Sequence, residues 1–147
     1  MFYLVDTNVL LRLTNRSDPQ HPIVRNAMRQ LRRDKHQLRI APQNCIEFWN
    51  VATRPIARNG LGLTPANAEQ LLSLLERLFP VLPDSPTVYT EWRRLVINYG
   101  VSGVQVHDAH LIAAMKVNST THILTFNTTD FTRYASEGII AVDPATV

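Results

Sequence analysis

Four apolar residues, Phe2 to Val5, run without interruption into Asp6-Thr7-Asn8. Aromatic and β-branched, with no polar relief, they predict a short buried strand. Such a strand belongs in a sheet covered by helices on both faces, and sheets of that kind are mostly parallel. A carboxylate then stands where the strand gives way to a helix. Ligands of open α/β sheets bind just outside the carboxyl ends of the strands. Asp6 is therefore carried toward the crevice where chemistry is usually done.

The rest of the chain alternates in the same style. Pro19 and Pro22 close the first helical stretch, and His21 to His36 reads as a basic helix with Ile23, Ala27, Met28 and Leu31 on its apolar side. Leu38 to Ala41 is a short strand, and Pro42 opens a helix over Gln43 to Thr53 that stops before Pro55. Arg58 to Gly62 is a loop. Thr64-Pro65 caps and opens a helix whose Ala68, Leu71, Leu72, Leu75, Leu78 and Phe79 recur at helical spacing. Pro80 to Pro83 is extended, and Ser85-Pro86 repeats the cap-plus-proline signal ahead of a helix to about Tyr99. Val106 to Val117 is helical, and Thr121 to Thr125 and Gly138 to Val142 are strands. Short apolar strands between longer amphipathic helices predict a three-layer α/β/α sandwich with a central, mainly parallel sheet.

The 147 residues fit one domain spanning 1–147, and 45% hydrophobic content supports a real core. A net charge of +3 is compatible with a nucleic-acid partner without demanding one. The single cysteine, Cys45, excludes a disulfide framework or a multi-thiolate zinc site, and reads as a small buried apolar residue. No apolar run approaches the ~18 residues of a membrane span, and no basic leader precedes the first strand. The expected setting is cytoplasmic.

Four acids fall at element junctions. Asp6 follows the first strand, Glu47 lies in a largely apolar helix, Asp108 opens a late helix, and Asp130 follows a late strand. With parallel strands, all four converge at one edge of the sheet. Converging carboxylates repel, and burial of an unpaired ionised group is costly. A cation resolves the conflict, and oxygen ligands suit the hard octahedral ions Mg2+ or Mn2+. Such an ion activates a water and stabilises charge on a phosphodiester under attack.

Asp6 by itself is also a good helix cap, and Asp108 a favourable charge against a helix dipole. His107 and His110 lie three apart, but no further nitrogen or sulfur ligand accompanies them; packing or phosphate contact is the expected role. Trp49 and Trp92 are expected in the core or at a subunit surface. Arg25, Arg29, Arg32, Arg33 and Lys35 make a solvated basic face or one that tracks phosphates.

The set Val5-Asp6-Thr7-Asn8-Val9-Leu10-Leu11, Glu47, Asp108-Ala109-His110-Leu111-Ile112-Ala113-Ala114 and Thr125-Phe126-Asn127-Thr128-Thr129-Asp130-Phe131 resembles a PIN domain. It is most similar to the small single-domain VapC-like ribonucleases, over nearly the whole chain and in the family's order. The resemblance implies a Mg2+- or Mn2+-dependent endoribonuclease whose catalytic and metal-holding quartet is Asp6, Glu47, Asp108 and Asp130. Asn127 competes with Asp130 for the fourth place. Thr7 is placed to brace Asp6, and Arg12 and Arg16 follow on the first helix, where they can meet the RNA backbone. The resemblance further implies a toxin restrained by a small antitoxin, and a homodimer. Two other readings stand beside it. One is a non-catalytic PIN-like module that binds RNA or protein. The other is a haloacid-dehalogenase-type phosphatase, which needs a second acid where this chain has Asn8.

Overall fold

The computed structural model describes residues 1–147. The elements run β1 (Phe2–Val5), α1 (Thr7–Thr14), α2 (His21–Arg33), β2 (Gln37–Arg39), α3 (Pro42–Thr53), α4 (Pro65–Leu78), α5 (Pro86–Asn98), α6 (Gln105–Val117), β3 (His122–Leu124) and β4 (Ile140–Val142). A 3-10 segment, Thr128–Glu137, lies between the last two strands.

The four strands form one sheet in the order β2-β1-β3-β4, and every pairing is parallel. Residues of β1 alternate between the faces, as the period of a strand requires. Tyr3 and Val5 pack with Val9, Met28, Phe48 and Leu75 from α1 to α4, whereas Leu4 packs with Leu95, Ile112, Met115, Phe131 and Tyr134 on the other side. Two apolar clusters separated by the sheet make three layers, as the alternation of strands and helices predicts.

Several boundaries depart from the sequence reading for identifiable reasons. Pro22 opens α2 and does not close α1, which already ends at Thr14; proline is tolerated in the first helical turn, where its missing N–H would have no partner anyway. Val24, not Ile23, faces the core of α2: Val24 is wholly buried and Ile23 is 38% exposed. The strand expected at Leu38–Ala41 is Gln37–Arg39, and Ile40 instead forms a single parallel bridge to Val81. That bridge accounts for the extended Pro80–Pro83. Thr64 caps α4 by accepting from the Asn67 N–H at 3.2 Å, but the Ser85 hydroxyl bonds Thr87 Oγ1 and leaves its helix without a side-chain cap.

Away from the sheet edge, one polar cluster fastens the late segments. Glu137, at the end of the 3-10 segment, accepts from Arg94 of α5 at 2.8 Å, Lys116 of α6 at 2.6 Å and the Tyr99 hydroxyl at 3.1 Å. These donors hold its carboxyl well down, at about 2, the Arg94 bonds contributing most. The cluster docks the segment carrying Asp130 against α5 and α6.

The core should respond as a packed interior does. Phe48→Ala removes a wholly buried ring and is expected to cost about 3–5 kcal/mol in urea unfolding. Ile46→Ala, on the same helix at 70% exposure, should change stability by less than about 0.5 kcal/mol. Similar losses from the two would contradict the helix orientation described here.

Candidate active site

The order β2-β1-β3-β4 means that the chain leaves β1 toward one side of the sheet while β3 adds on the other. The crevice between the carboxyl ends of β1 and β3 is thus a topological switch point, where open α/β sheets bind ligands. The Asp6 N–H donates to Leu124 O across this seam at 3.0 Å. Asp6 is only 7% exposed, and its carboxylate is fixed from two strands' ends. Oδ1 accepts from the Thr7 N–H at 2.8 Å, so Asp6 does cap α1. Oδ2 accepts from Thr125 Oγ1 at 2.8 Å and from Asn8 Nδ2 at 3.4 Å. Cap and site acid are the same residue. One oxygen satisfies the helix end and the other is turned to the seam.

Glu47 approaches from α3. Its Oε2 accepts from Thr7 Oγ1 at 2.8 Å and its Oε1 from Gln43 Nε2 at 2.7 Å. Thr7 therefore braces Glu47, rather than Asp6, with its hydroxyl; its link to Asp6 is through the backbone. The wholly buried Asn44 donates to Thr7 Oγ1 at 3.2 Å, and its Oδ1 accepts from the Ala41 N–H at 2.9 Å. Asp108, half-buried, sits in the first turn of α6, where the helix dipole favours a negative charge. Asp130 is exposed at the start of the 3-10 segment.

The four acids feel one another. Burial pushes the Asp6 carboxyl up to about 6, its bonds from Thr125 and Thr7 oppose the rise, and the charges of Glu47 and Asp130 add to it. Asp108 is raised to about 6 by burial first, then by Asp6, Asp130 and Glu47. No lysine or arginine answers this charge: the ion pairs of the molecule involve Glu91 and Glu137 only. The acids gather at one sheet edge, yet no three His, Cys, Asp or Glu side chains are drawn tightly enough together to hold an ion unaided.

Other expected site residues fall differently. Asn127 is exposed, and its backbone N–H donates to Thr125 Oγ1 at 3.0 Å. Arg12 is tied into the scaffold. It donates to Asn8 O at 2.8 Å and to Gln20 Oε1, and its guanidinium lies 5.0 Å from the centre of the Phe126 ring. Residues not singled out from sequence complete the site. Asn8 and Thr125, 117 positions apart, bond each other at 3.2 Å, and Asn8 Oδ1 accepts from the Phe126 N–H. Gln43 and Asn44 serve the Glu47 side. The only signal for them was position: each lies within five residues of an acid, beside elements already placed at the sheet edge.

With this geometry established, comparison with known proteins adds the family. The PIN domain family's model matches residues 3–137, and the chain belongs to that family. No curated protein matches it. Among solved structures, it is similar to VapBC2 from Rickettsia felis, bound to a promoter DNA fragment, at TM-score 0.71 and 14% identity, covering 97% of this chain and 98% of that one. It resembles VapBC-1 from nontypeable Haemophilus influenzae at TM-score 0.68 and 16% identity, with 98% of each chain covered. A third likeness is to VapC20 of Mycobacterium tuberculosis, a Sarcin-Ricin loop cleaving toxin, at TM-score 0.63 and 18% identity over 95% of this chain and 98% of that one. At these identities the structural likenesses establish the shared fold.

The charge conflict has a measurable consequence. Asp6 and Asp108 have folded pKa values above those of an unfolded chain, so the native state binds more protons than the unfolded state between about pH 4 and 6. Stability of the metal-free protein should therefore fall as pH rises through that window. Thermal melts in chelator are expected to show this decline, and Asp6→Asn to flatten it. A melting temperature that rises steadily from pH 4 to 7 in the wild type would contradict the shared burial of these acids.

Proposed function

We propose that the protein is a Mg2+- or Mn2+-dependent endoribonuclease whose site is built on Asp6, Glu47, Asp108 and Asp130. The supporting observation is the gathering of four carboxylates from four separate elements at the β1/β3 edge without a lysine or arginine partner. An all-oxygen donor set of this charge suits a hard divalent ion. Mg2+ keeps several waters and takes only one or two carboxylates directly, so acids that are near but not drawn together fit it. Asp6 and Asp108 would hold the ion in this reading, with Glu47 and Asp130 completing the acidic site.

When bound, the ion supplies an activated water and stabilises the charge that develops on phosphate. The chain's own groups supply placement. Thr125 and the Thr7 N–H hold Asp6 in one rotamer, and Thr7 Oγ1 and Gln43 hold both oxygens of Glu47. Asp130, whose charge reaches both Asp6 and Asp108, is the fourth acid in preference to Asn127.

Cleavage of RNA by the purified protein should require Mg2+ or Mn2+ and stop in chelator. Asp6→Asn and Asp108→Asn should each lose at least about a hundredfold in cleavage rate while keeping the wild-type circular dichroism spectrum, a loss in the range for removing a group that stabilises transition-state charge. Chelator-resistant cleavage, or full activity in both variants, would reject the metal hydrolase. Tight RNA binding without cleavage would favour a non-catalytic binding module.

We also infer a restraining partner of the antitoxin kind, in a cytoplasmic toxin–antitoxin pair. No helix of the protein is long and apolar enough to cross a membrane. A groove of about 670 Å³ between α1, α2 and α4 is lined by Leu13, Leu71, Leu74 and Leu78 together with Arg16 and Arg25. Apolar side chains beside arginines suit an amphipathic, acidic segment of a partner. Where a small protein is encoded beside this one, Arg25→Glu should weaken its capture at least tenfold in calorimetry; equal affinity would remove the groove from the interface.

A further inference from the structure

Glu47 and Asp108 lie on different helices, α3 and α6, and a single side chain spans the gap between those helices. Gln43 Nε2 donates to Glu47 Oε1 at 2.7 Å and to the His107 carbonyl oxygen at 2.9 Å. Its Oε1 lies 2.6 Å from His110 Nδ1. The amide orientation follows from these partners. A backbone carbonyl only accepts, so the NH2 group faces His107 O, and the carbonyl oxygen faces the imidazole. An oxygen in that position requires a proton on His110 Nδ1. The neutral imidazole then carries no proton on Nε2.

We propose that Gln43 and His110 form a clamp that positions Glu47 relative to Asp108. His110 fixes the amide of Gln43, and the amide fixes the Glu47 carboxylate while gripping the turn of α6 that carries Asp108. The other Glu47 oxygen is already held by the Thr7 hydroxyl, which in turn accepts from Asn44. With the clamp intact, neither rotation of the carboxylate nor sliding of α3 along α6 is free. Gln43, His107 and His110 line a cleft of about 570 Å³ that reaches Glu47, so the clamp is also a wall of the approach to the site. The inference rests on the reading of Glu47 as an acid serving the metal; the histidine tautomer that it demands does not.

That difference sets the experiment. Long-range 1H–15N NMR of the metal-free protein at pH 8, where an ordinary imidazole is neutral, reads the tautomer directly. His110 should be in the Nδ1–H form in the wild type. In Gln43→Leu it should shift toward the Nε2–H form that a solvated imidazole favours. Orienting partners of ligating groups are typically worth 10–100-fold, so Gln43→Leu and His110→Ala should each weaken Mn2+ binding and lower kcat about tenfold or more, with KM little changed. An Asn side chain places an N–H near where imidazole Nδ1 sits, and His110→Asn should recover most of that loss. A wild-type His110 protonated on Nε2 overturns the clamp, and so does a Gln43→Leu protein that keeps the Nδ1–H form. Recovery absent in a folded His110→Asn protein also counts against it. If the wild type cleaves no RNA, the nuclease reading fails while the tautomer still decides the clamp.

Discussion

A carboxylate 7% exposed, with no cation beside it, is the constraint around which the sheet edge is organised. Burial of ionised Asp6 is unfavourable, and its neighbours only partly offset this by hydrogen bonding. The Thr7 N–H and Thr125 hydroxyl favour the charged form, while Glu47 and Asp130 oppose it. The balance leaves the group poised near neutrality. A fold that tolerates this arrangement supplies the missing stability elsewhere, in the two apolar clusters on either face of the sheet. The strain is local and lies where a PIN-domain protein is expected to work.

The scaffold around the acid is rigid for reasons that can be named. Strands β1 and β3 share a parallel register, so the residues just past them, Asp6 and Thr125, emerge side by side. The capping role of Asp6 fixes the first turn of α1, which sets Thr7 against Glu47. On the far side, Glu137 fastens the 3-10 segment to α5 and α6 through charge-assisted bonds, and Asp130 is carried with it. Each acid is thus placed by a different element, and each element is held by packing remote from the acids themselves. A site built this way can hold repelling groups close because the surrounding packing, and not the acids, sets their spacing.

Polar side chains do more of the positioning than the acids' own neighbours in sequence suggest. Asn44 is wholly buried and satisfied, with its carbonyl taken by Ala41 N–H and its amide by Thr7. Asn8 bridges Asp6, Thr125 and the Phe126 N–H. A buried amide such as Asn44 is costly when any bond is missing and strongly orienting when all are made. Arg12, which its position in the sequence offers to the RNA backbone, is tied to the Asn8 carbonyl, Gln20 and the Phe126 ring.

The amino-acid sequence by itself determined the parallel α/β/α layering and the order of the four acids along the elements. Those properties live in local patterns: apolar runs such as Phe2–Val5, proline-opened helices such as the one at Pro42, and an acid at each junction. It did not determine which face of α2 turns inward, where Ile23 and Val24 compete as neighbours of equal apolarity, because a one-residue rotation is decided by packing on α1, β2 and the C-terminal segment. Nor did it determine that Thr7 reaches Glu47, that Asn8 meets Thr125, or that Gln43 joins His107, His110 and Glu47. Threonine, asparagine and glutamine are ordinary anywhere on a surface. They acquire a role only when folding brings together groups that are 40, 117 and 67 positions apart, and no local propensity encodes a partner at that distance.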